Sequence, residues 1–308
     1  MSTTLLIDTD PGVDDALAIL MAHAHADVAG LTVTAGNVGI AHTLRNALKL
    51  VEVIGGETSV FGGCGEPLVR PAEDAAFVHG NDGFGDTGYA TVTRAAHCEH
   101  AVTAILRLSH ELSGQLTLVA LGPLTNIALA LRLDPTLPAR IARLVVMGGA
   151  VNGRGNTQRV PAEFNIGFDP EAAHIVFSSW PRFDLVDWEA TVRHGLDFDA
   201  MQAWLAAGDT RARFYEAISR KTRDWTRANG RPRLLCADAL AMAVALAPDL
   251  VTESAERHVG IELDGALTRG ATVVDWDGRL GRPINARIVL AVDQARFEAL
   301  VRAALCAV

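Results

Sequence analysis

The chain has 308 residues, a net charge of −9 and 49% hydrophobic residues, which is typical of a globular protein with a sizeable core. The negative charge excludes a general nucleic-acid binder, because such proteins neutralise phosphates with a basic surface. The four cysteines form no CxxC pair, the first residues lack a signal-peptide pattern, and no run of about 18 apolar residues occurs. We therefore expect one domain over residues 1–308, in the cytoplasm, with neither a membrane nor a nucleic acid as partner.

Short apolar, β-branched runs alternate with stretches of helical periodicity over the first 190 residues or so. We predict strands at residues 5–7, 31–33, 116–121, 144–147 and 183–186. Helices are predicted at residues 14–24, 40–54, 100–112, 124–133 and 170–178. Later in the chain we predict helices at 197–206, 211–229 and 237–247, strands at 271–274 and 286–292, and a terminal helix. The alternation predicts an α/β fold with a mostly parallel central sheet flanked by helices.

Four aspartates follow the first predicted strand, in the segment Asp8-Thr9-Asp10-Pro11-Gly12-Val13-Asp14-Asp15. The Pro-Gly pair turns the chain into a helix, and ligands of open α/β sheets bind just beyond the carboxyl ends of strands. Carboxylates this close raise one another's pKa unless a cation lies among them. Oxygen ligands suit a hard ion, Ca²⁺ or Mg²⁺. A helix cap with solvated surface charge explains one of these aspartates but not four, so the segment predicts a cation site.

Polar residues also follow the next predicted strands. Asn37 follows the second strand, Asn126 the third and Asn152 the fourth. In a parallel sheet these strand ends face one crevice. Asn37 should lie beside the first strand end, whereas a turn or a helix cap explains Asn126 and Asn152 equally well.

Two further segments contribute polar residues at helix starts. Glu163 and Asn165 stand shortly before a helix that begins with Pro170. Asp238 opens an apolar helix, and an acidic residue at a helix start is most often a cap. Spacing alone therefore leaves both a capping role and a functional role open for Asp238.

Together these segments resemble the calcium-dependent nucleoside hydrolases, the inosine-uridine preferring family. Residues 8–16 are similar to that family's amino-terminal signature almost letter for letter. Further matches follow in family order, at residues 34–37, 121–126, 147–150, 155–156, 162–165, 169–173 and 238–241. The resemblance implies a parallel-sheet fold akin to the doubly wound class, assembled as a homodimer or homotetramer.

The resemblance also implies an activity, hydrolysis of the N-glycosidic bond of ribonucleosides, with Ca²⁺ as cofactor and a small-molecule ribonucleoside as substrate. The calcium ligands it implies are the carboxylates of Asp10, Asp15 and Asp238 and the backbone carbonyl of Leu121. The ribose ligands it implies are Asp14, Asn37, Asn156, Glu163 and Asn165. Asp10 would also accept a proton from the attacking water, in a reaction with an oxocarbenium-like transition state.

The sequence departs from the family immediately before Asp238, where many members have a histidine that protonates the departing base. Ala237 stands there, and Cys236 is one residue earlier. Other candidates for this role are His194, Glu189 and His79, which lies in a segment similar to a mobile family loop and which we also count among the substrate-binding residues. Trp188, Trp225 and Phe84 are candidates for stacking on the base, with core or lid packing as the alternative. Gly155-Asn156 also stands one residue further from Glu163 than the family pattern has it.

Two other interpretations stay open at this point. With the family histidine absent, the protein could bind calcium and a ribosyl ligand without turning the ligand over. A phosphatase of the haloacid dehalogenase type would use Asp8 as nucleophile and Asp10 as acid. That second interpretation leaves Asp14, Asp15 and Glu163 unexplained.

Overall fold

The computed structural model describes residues 3–206 and 209–306. Nine strands form one sheet in the order β3-β2-β1-β4-β5-β6-β9-β7-β8. The strands are β1 (Thr4–Thr9), β2 (Asp27–Val33), β3 (Val60–Gly62), β4 (Leu116–Ala120), β5 (Ile141–Met147), β6 (Phe183–Val186), β7 (Val251–Ile261), β8 (Thr272–Asp275) and β9 (Ala286–Val292). The helices are α1 (Val13–His25), α2 (Ile40–Ile54), α3 (Ala76–His79), α4 (Ala101–Glu111), α5 (Thr125–Leu133), α6 (Phe164–Phe168), α7 (Pro170–Ser179), α8 (Trp188–Arg193), α9 (Phe198–Leu205), α10 (Thr210–Ala228), α11 (Ala237–Leu246) and α12 (Gln294–Leu305).

Strand β1 is the third strand from the β3 edge of the sheet, and its carboxyl end determines where a ligand can bind. Its residues Leu5, Leu6 and Ile7 are fully buried, as expected for a strand covered by helices on both faces. It pairs in parallel with β2 on one side and with β4 on the other. The chain thus proceeds outward from β1 to β3 and then resumes on the other side with β4. This reversal between β1 and β4 is the topological switch point, where the carboxyl ends of the strands leave a crevice.

Two apolar clusters cover the two faces of the sheet. Alternate residues of each strand contribute to each cluster, for example Leu5 and Ile7 to one and Leu6 to the other. Helices α1, α2, α11 and α12 pack on the first face, and α4, α5 and α7 pack on the second. The result is a three-layer α/β arrangement with the core on both sides of the sheet.

Helices α1 and α11 pack against each other although more than 200 residues separate them in sequence. Both helices present small buried side chains, among them Ala16 and Ala18 on α1 and Ala239 and Ala241 on α11. Small side chains allow two helix axes to approach closely. This approach brings the first turn of α11 to the first turn of α1.

The predicted fold class, a mostly parallel α/β sheet flanked by helices, is confirmed. The predicted helix 40–54 and the predicted strands 183–186 and 286–292 have the observed bounds. Strands β3 and β7 were missed. β7 carries mostly exposed or half-exposed side chains, and it pairs antiparallel with β8 and β9, so it lacks the apolar run of a central parallel strand. None of the described helices combines the length and the apolar character needed to cross a bilayer.

Candidate active site

Polar residues from the strand ends meet at the switch point, as the sequence predicted. Asp10 follows β1, Asn37 follows β2 and Leu121 follows β4. Asn37 and Leu121 line a cavity together with Asp14, Asn156, Glu163, Asn165, His79 and Asp238. Asp10 lies behind this lining, 1% exposed, and contacts Asn37. The structure therefore brings all ten of the predicted site residues to one place. Asp15 lies in the first turn of α1 and accepts a hydrogen bond from the Asn37 side-chain amide.

A dense hydrogen-bond network fixes Asp10 and Asp15. The Thr9 hydroxyl donates to Asp15 Oδ1 at 2.5 Å, and the Gly12 backbone N–H donates to Asp15 Oδ2 at 2.9 Å. Asn37 joins the two aspartates, because its backbone N–H donates to Asp10 Oδ2 at 2.7 Å and its side-chain amide donates to Asp15 Oδ2 at 3.0 Å. The Asp15 carboxylate is thus held by three donors from Thr9, Gly12 and Asn37, whereas the Asp10 carboxylate is held through one oxygen by Asn37.

Two glycines leave the space that the Asp10 carboxylate occupies. A Cβ on Gly36 would lie 2.0 Å from Asp10 Oδ2, and a Cβ on Gly122 would lie 2.4 Å from Asp10 Oδ1. Contacts this short are impossible for real atoms, so any other residue at either position would push the carboxylate away. Glycine after β2 and after β4 is therefore a steric requirement of the Asp10 position.

Three acidic side chains come together where α1 meets α11. Oxygens of Asp14, Asp15 and Asp238 lie within 4.8 Å of one another and form a group able to hold a metal ion. The capping explanation for Asp238 is wrong, because Cys236 occupies the N-cap position of α11. Backbone N–H groups of Ala237 and Asp238 instead bond to the Asp14 carboxylate and lower its pKa. We call Asp10, Asp14, Asp15, Asn37 and Asp238 the floor of the cavity.

Burial raises the pKa of all four floor carboxyls. The pKa of Asp14 rises to about 6, and that of Asp15 rises as Asp14 repels it. The pKa values of Asp10 and Asp238 rise well above the usual range, through burial first and then through repulsion by the neighbouring carboxylates. So many buried carboxyls share one small volume that their ionised forms need a positive charge among them.

The oxygen atoms of the floor suit a hard divalent cation. Among the described residues no group donates a hydrogen bond to Asp10 Oδ1, although that atom is buried. A buried carboxylate oxygen without a donor is costly unless a cation coordinates it. Carboxylates and backbone carbonyls are the ligands of Ca²⁺ and Mg²⁺ rather than of softer metals. The residues present therefore fit such an ion.

Glu163 and Asn165 stand at the start of α6, beside the floor. The Glu163 carboxylate caps the helix, accepting from the backbone N–H groups of Asn165 and Ile166 at 3.0 and 3.2 Å. It also accepts from the Gly149 N–H at 3.0 Å, and burial raises its pKa to about 7. The Asn165 side chain donates to the Leu121 carbonyl at 2.6 Å. Asn156 is exposed, and its side-chain oxygen accepts from the Phe164 N–H at 2.8 Å.

His79 is fixed against the start of α1. Its Nδ1 accepts a hydrogen bond from the Val13 backbone N–H at 3.1 Å. Burial lowers its pKa to about 4, so the ring is neutral near pH 7. Because Nδ1 accepts, the ring proton is on Nε2, and His79 can donate one hydrogen bond but carries no charge.

The remaining lining of the cavity is largely apolar and comes from α3, α10 and the segment before α11. We call Val78, Tyr215, Thr222, Trp225 and Thr226 the wall of the cavity; all five line it. Trp188, Leu234, Arg231 and Cys236 line the same end. Sequence reasoning missed Tyr215, Thr222, Thr226 and Arg231, because no motif surrounds them. The spacing of Tyr215, Thr222 and Thr226 along α10 was visible in the sequence, but the face of that helix that meets the cavity was not.

Several other candidates lie elsewhere. His194 bonds to Gln294 and to the Val292 N–H, and Glu189 bonds to Asn152, so these residues do not line the cavity. Their proposed role in protonating the base is therefore not supported.

Asn126 bridges Asp8 and the Cys64 N–H in a buried network. Of the aromatic candidates, Trp188 and Trp225 line the cavity, whereas Phe84 is fully buried and packs against Tyr89 and Phe214.

The position of Asp8 argues against the phosphatase interpretation. Asp8 is fully buried within β1, and its Oδ1 accepts from the Thr32 hydroxyl at 2.6 Å and from the Asn126 amide at 2.9 Å. A nucleophilic aspartate must reach a substrate. Asp8 does not line the cavity, so it cannot take that role.

The fold and the floor together define a class: an α/β protein whose acidic site at the switch point of the sheet is able to hold a cation. Comparison with known proteins narrows this class. The sequence profile described as inosine-uridine preferring nucleoside hydrolase matches residues 5–299. The non-specific ribonucleoside hydrolase RihC of Salmonella newport is 38% identical over 299 residues, which cover 96% of this chain and 95% of that protein.

Solved structures agree with the sequence comparison. An inosine-guanosine nucleoside hydrolase superposes with a TM-score of 0.93 at 33% identity, covering 99% of both chains. A purine-preferring ribonucleoside hydrolase from Gardnerella vaginalis superposes with a TM-score of 0.92 at 30% identity, covering 99% of this chain and 98% of that one. The chain therefore belongs to the inosine-uridine preferring nucleoside hydrolase family, and it is an N-glycosidic hydrolase.

Proposed function

We propose that this protein hydrolyses ribonucleosides to free base and ribose with Ca²⁺ as cofactor. The observation that carries the proposal is the buried Asp10 Oδ1, which lacks a donor and lies beside three further carboxyls of raised pKa. The carboxylates of Asp10, Asp15 and Asp238 and the Leu121 carbonyl would hold the ion. Asp14 belongs to the same cluster, but it is partly exposed to the cavity, and we assign it to the sugar.

A bound calcium ion would lower the pKa of a water molecule and direct it towards the anomeric carbon. Asp10 accepts the proton of the attacking water as general base. Its position suits this role, because Asn37 fixes one carboxylate oxygen and leaves the other free of donors. The carboxylates of the floor also stabilise the positive charge that develops on the ribose ring.

The ribose would lie between the floor and α6. Asp14, Asn37, Asn156, Glu163, Asn165 and His79 all line the cavity, and we assign the hydroxyl groups of the sugar to them. Three backbone N–H groups fix the Glu163 carboxylate, so its orientation does not have to be created by the substrate. Holding the sugar in this way keeps the anomeric carbon in attack geometry, which is worth several kcal/mol.

The base would lie against the wall. Flat heterocyclic bases stack on aromatic side chains, and Trp188 and Trp225 line that end of the cavity. The names of the relatives include a non-specific, an inosine-guanosine and a purine-preferring enzyme, so both purine and pyrimidine ribonucleosides belong in the test. Assembly as a homodimer or homotetramer and a cytoplasmic location remain predictions, the first of which light scattering tests.

The decisive experiment is a reducing-sugar assay over a panel of purine and pyrimidine ribonucleosides, with and without EDTA. We expect ribose release in the untreated enzyme, loss of activity in EDTA and recovery when calcium is added in excess. Full activity after exhaustive chelation would overturn the assignment of the cation. Binding of nucleosides without release of ribose from any of them would contradict the catalytic role of Asp10.

A further inference from the structure

Helix α10 presents three hydroxyl side chains to the cavity, and none of them belongs to a recognised motif. Tyr215, Thr222 and Thr226 all line the cavity. Their spacing of seven and four residues places them on one face of the helix. These hydroxyls therefore face the end of the cavity that would hold the base.

The two threonine hydroxyls already use their protons within the protein. Thr222 Oγ1 donates to the Val78 carbonyl at 3.0 Å, and Thr226 Oγ1 donates to the Thr222 carbonyl at 2.7 Å. A hydroxyl has a single proton to donate, and a backbone carbonyl is a strong acceptor for it. Neither threonine gains much by redirecting its proton to a ligand.

Tyr215 differs in the quality of its partner. Its phenol lies beside the Cys236 thiol, and sulfur is a weak acceptor. The Tyr215 side chain is 1% exposed, so no bulk solvent competes for the proton. Burial raises the pKa of the phenol well above its usual range, and Cys236 and the nearby Asp14 raise it further, so the group stays protonated. It is a donor that holds its proton and has no strong acceptor at rest.

The location of the Tyr215 hydroxyl matters because Ala237, the residue before Asp238, has no group that can donate to the base. Cys236, Ala237 and Asp238 line the cavity together with Tyr215. The methyl group of Ala237 cannot donate to a departing base. His79 is held against α1 by the Val13 N–H, and its one remaining donor, Nε2–H, is assigned above to the sugar. The N-glycosidic bond would thus break in this cavity. Tyr215 is a buried hydroxyl donor there, and its neighbour, the Cys236 thiol, is a weak acceptor.

We propose that Tyr215 is a catalytic residue that donates its phenolic O–H to the departing base. This inference rests on the proposed function. The C1′–N bond breaks with its electron pair going to the base, the water oxygen bonds to C1′, and the proton of that water goes to Asp10. The phenol turns from Cys236 Sγ to the base heteroatom that gains the charge and keeps its own proton. The base takes a proton from solvent after release. A donor aimed where charge develops favours the transition state over the bound substrate.

The test compares two leaving groups in the Tyr215→Phe enzyme. Nucleosides such as inosine or uridine leave a poorly stabilised anion, whereas p-nitrophenyl ribofuranoside leaves an anion that is already stable. We expect kcat for the best nucleoside to fall roughly 10- to 100-fold, the scale of a hydrogen bond to a charged group. For p-nitrophenyl ribofuranoside we expect a change below about threefold, because that leaving group gains little from a donor. The ratio of the two rates does not depend on how much of the variant folds.

Two variants control the comparison. Ser219→Ala removes another buried hydroxyl of α10, one that donates to the Glu216 carbonyl of its own helix, and we expect both rates to stay unchanged. Cys236→Ala, at a residue that lines the cavity beside the phenol, tests the thiol as the donor instead. A nucleoside rate well above that of Tyr215→Phe keeps the role with the phenol.

The outcomes separate this proposal from the proposed function. Equal losses of Tyr215→Phe on both substrates, or no loss on either, would overturn the role of Tyr215. A large loss in Cys236→Ala with none in Tyr215→Phe would make the thiol the donor instead. If the wild-type enzyme released no ribose from any nucleoside in calcium, the proposed function itself would fail before any variant was compared.

Discussion

The floor and the wall of the cavity are built by different means. In the floor, the carboxylates of Asp10 and Asp15 receive hydrogen bonds from Thr9, Gly12 and Asn37, and glycine neighbours fix the space around Asp10. In the wall, the Thr222 hydroxyl on α10 donates to the Val78 carbonyl on α3, and Trp225 packs edge-on against Phe77 of α3.

This difference indicates that the floor serves the chemistry at the sugar and that the wall serves recognition of the base. The sugar chemistry needs charged groups held within fractions of an ångström, and the floor provides donors on several sides for that purpose. The base is recognised by apolar and aromatic surface, which tolerates adjustment. We therefore expect changes in the floor to abolish turnover. Changes in the wall, other than at Tyr215, should alter substrate affinity and preference.

The largest effect is expected from Asp10→Asn. The change keeps the size of the side chain but removes the base, so we expect kcat to fall about 100-fold or more. Turnover is measured by reducing-sugar assay, and calorimetric titration with calcium checks that the variant still binds the ion. Near-normal turnover would remove Asp10 from the role of base.

A comparable effect is expected from Gly36→Ala, which changes no charge. The added Cβ would lie 2.0 Å from Asp10 Oδ2, so the carboxylate must move. A displacement of about 1 Å costs on the order of 100-fold in turnover. The matched control is Gly260→Ala, where the new Cβ would meet no atom within 4 Å. Similar rates in the two variants would show that the floor is less rigid than its hydrogen bonds indicate.

Calcium should stabilise the protein more at pH 8 than at pH 5. Burial raises the folded-state pKa values of the floor carboxyls above the usual value of 3.8, to about 6 for Asp14. Their contribution to stability is complete below the unfolded pKa and is lost as pH rises through the folded pKa. A bound cation offsets this loss where the carboxyls are ionised. At 100 times its Kd, a ligand adds about 2.7 kcal/mol of stability.

Thermal unfolding in EDTA and in calcium, at both pH values, measures this effect. Sodium chloride at equal ionic strength serves as the control for general screening. An equal gain in Tm at pH 5 and pH 8 would contradict the assignment of the ion to these carboxylates.

The smallest effect is expected in the wall, from Thr222→Val. The variant loses the hydrogen bond to the Val78 carbonyl that joins α10 to α3. One neutral hydrogen bond is worth about 1 kcal/mol, so we expect KM to rise roughly fivefold with kcat nearly unchanged. Steady-state kinetics on one nucleoside, with Ser219→Ala as the control on the same helix, measures the split. A fall in kcat as large as that of Asp10→Asn would remove the distinction between floor and wall.

Much of the floor could be predicted because its residues follow strand ends in short segments. Asp10 follows β1, Asp15 lies in the first turn of the helix after it, and Asn37 follows the adjacent strand, so a parallel sheet brings them together. The long strand β7 was not predicted, because its exposed residues lack an apolar run. Tyr215 was not predicted either, since a tyrosine on an amphipathic helix is usually a core residue.

The sequence by itself determined the α/β class, the acidic loop and the family, because apolar periodicity and a strict local motif record them directly. Tertiary structure alone decided the position of Asp238 beside the other carboxyls, which spacing could not separate from that of a helix cap. The packing of small side chains between α1 and α11 brings that carboxyl within 4.8 Å of Asp14 and Asp15. The same holds for the face of α10 that meets the cavity. Contacts between distant segments depend on how whole surfaces pack, and no local pattern encodes that.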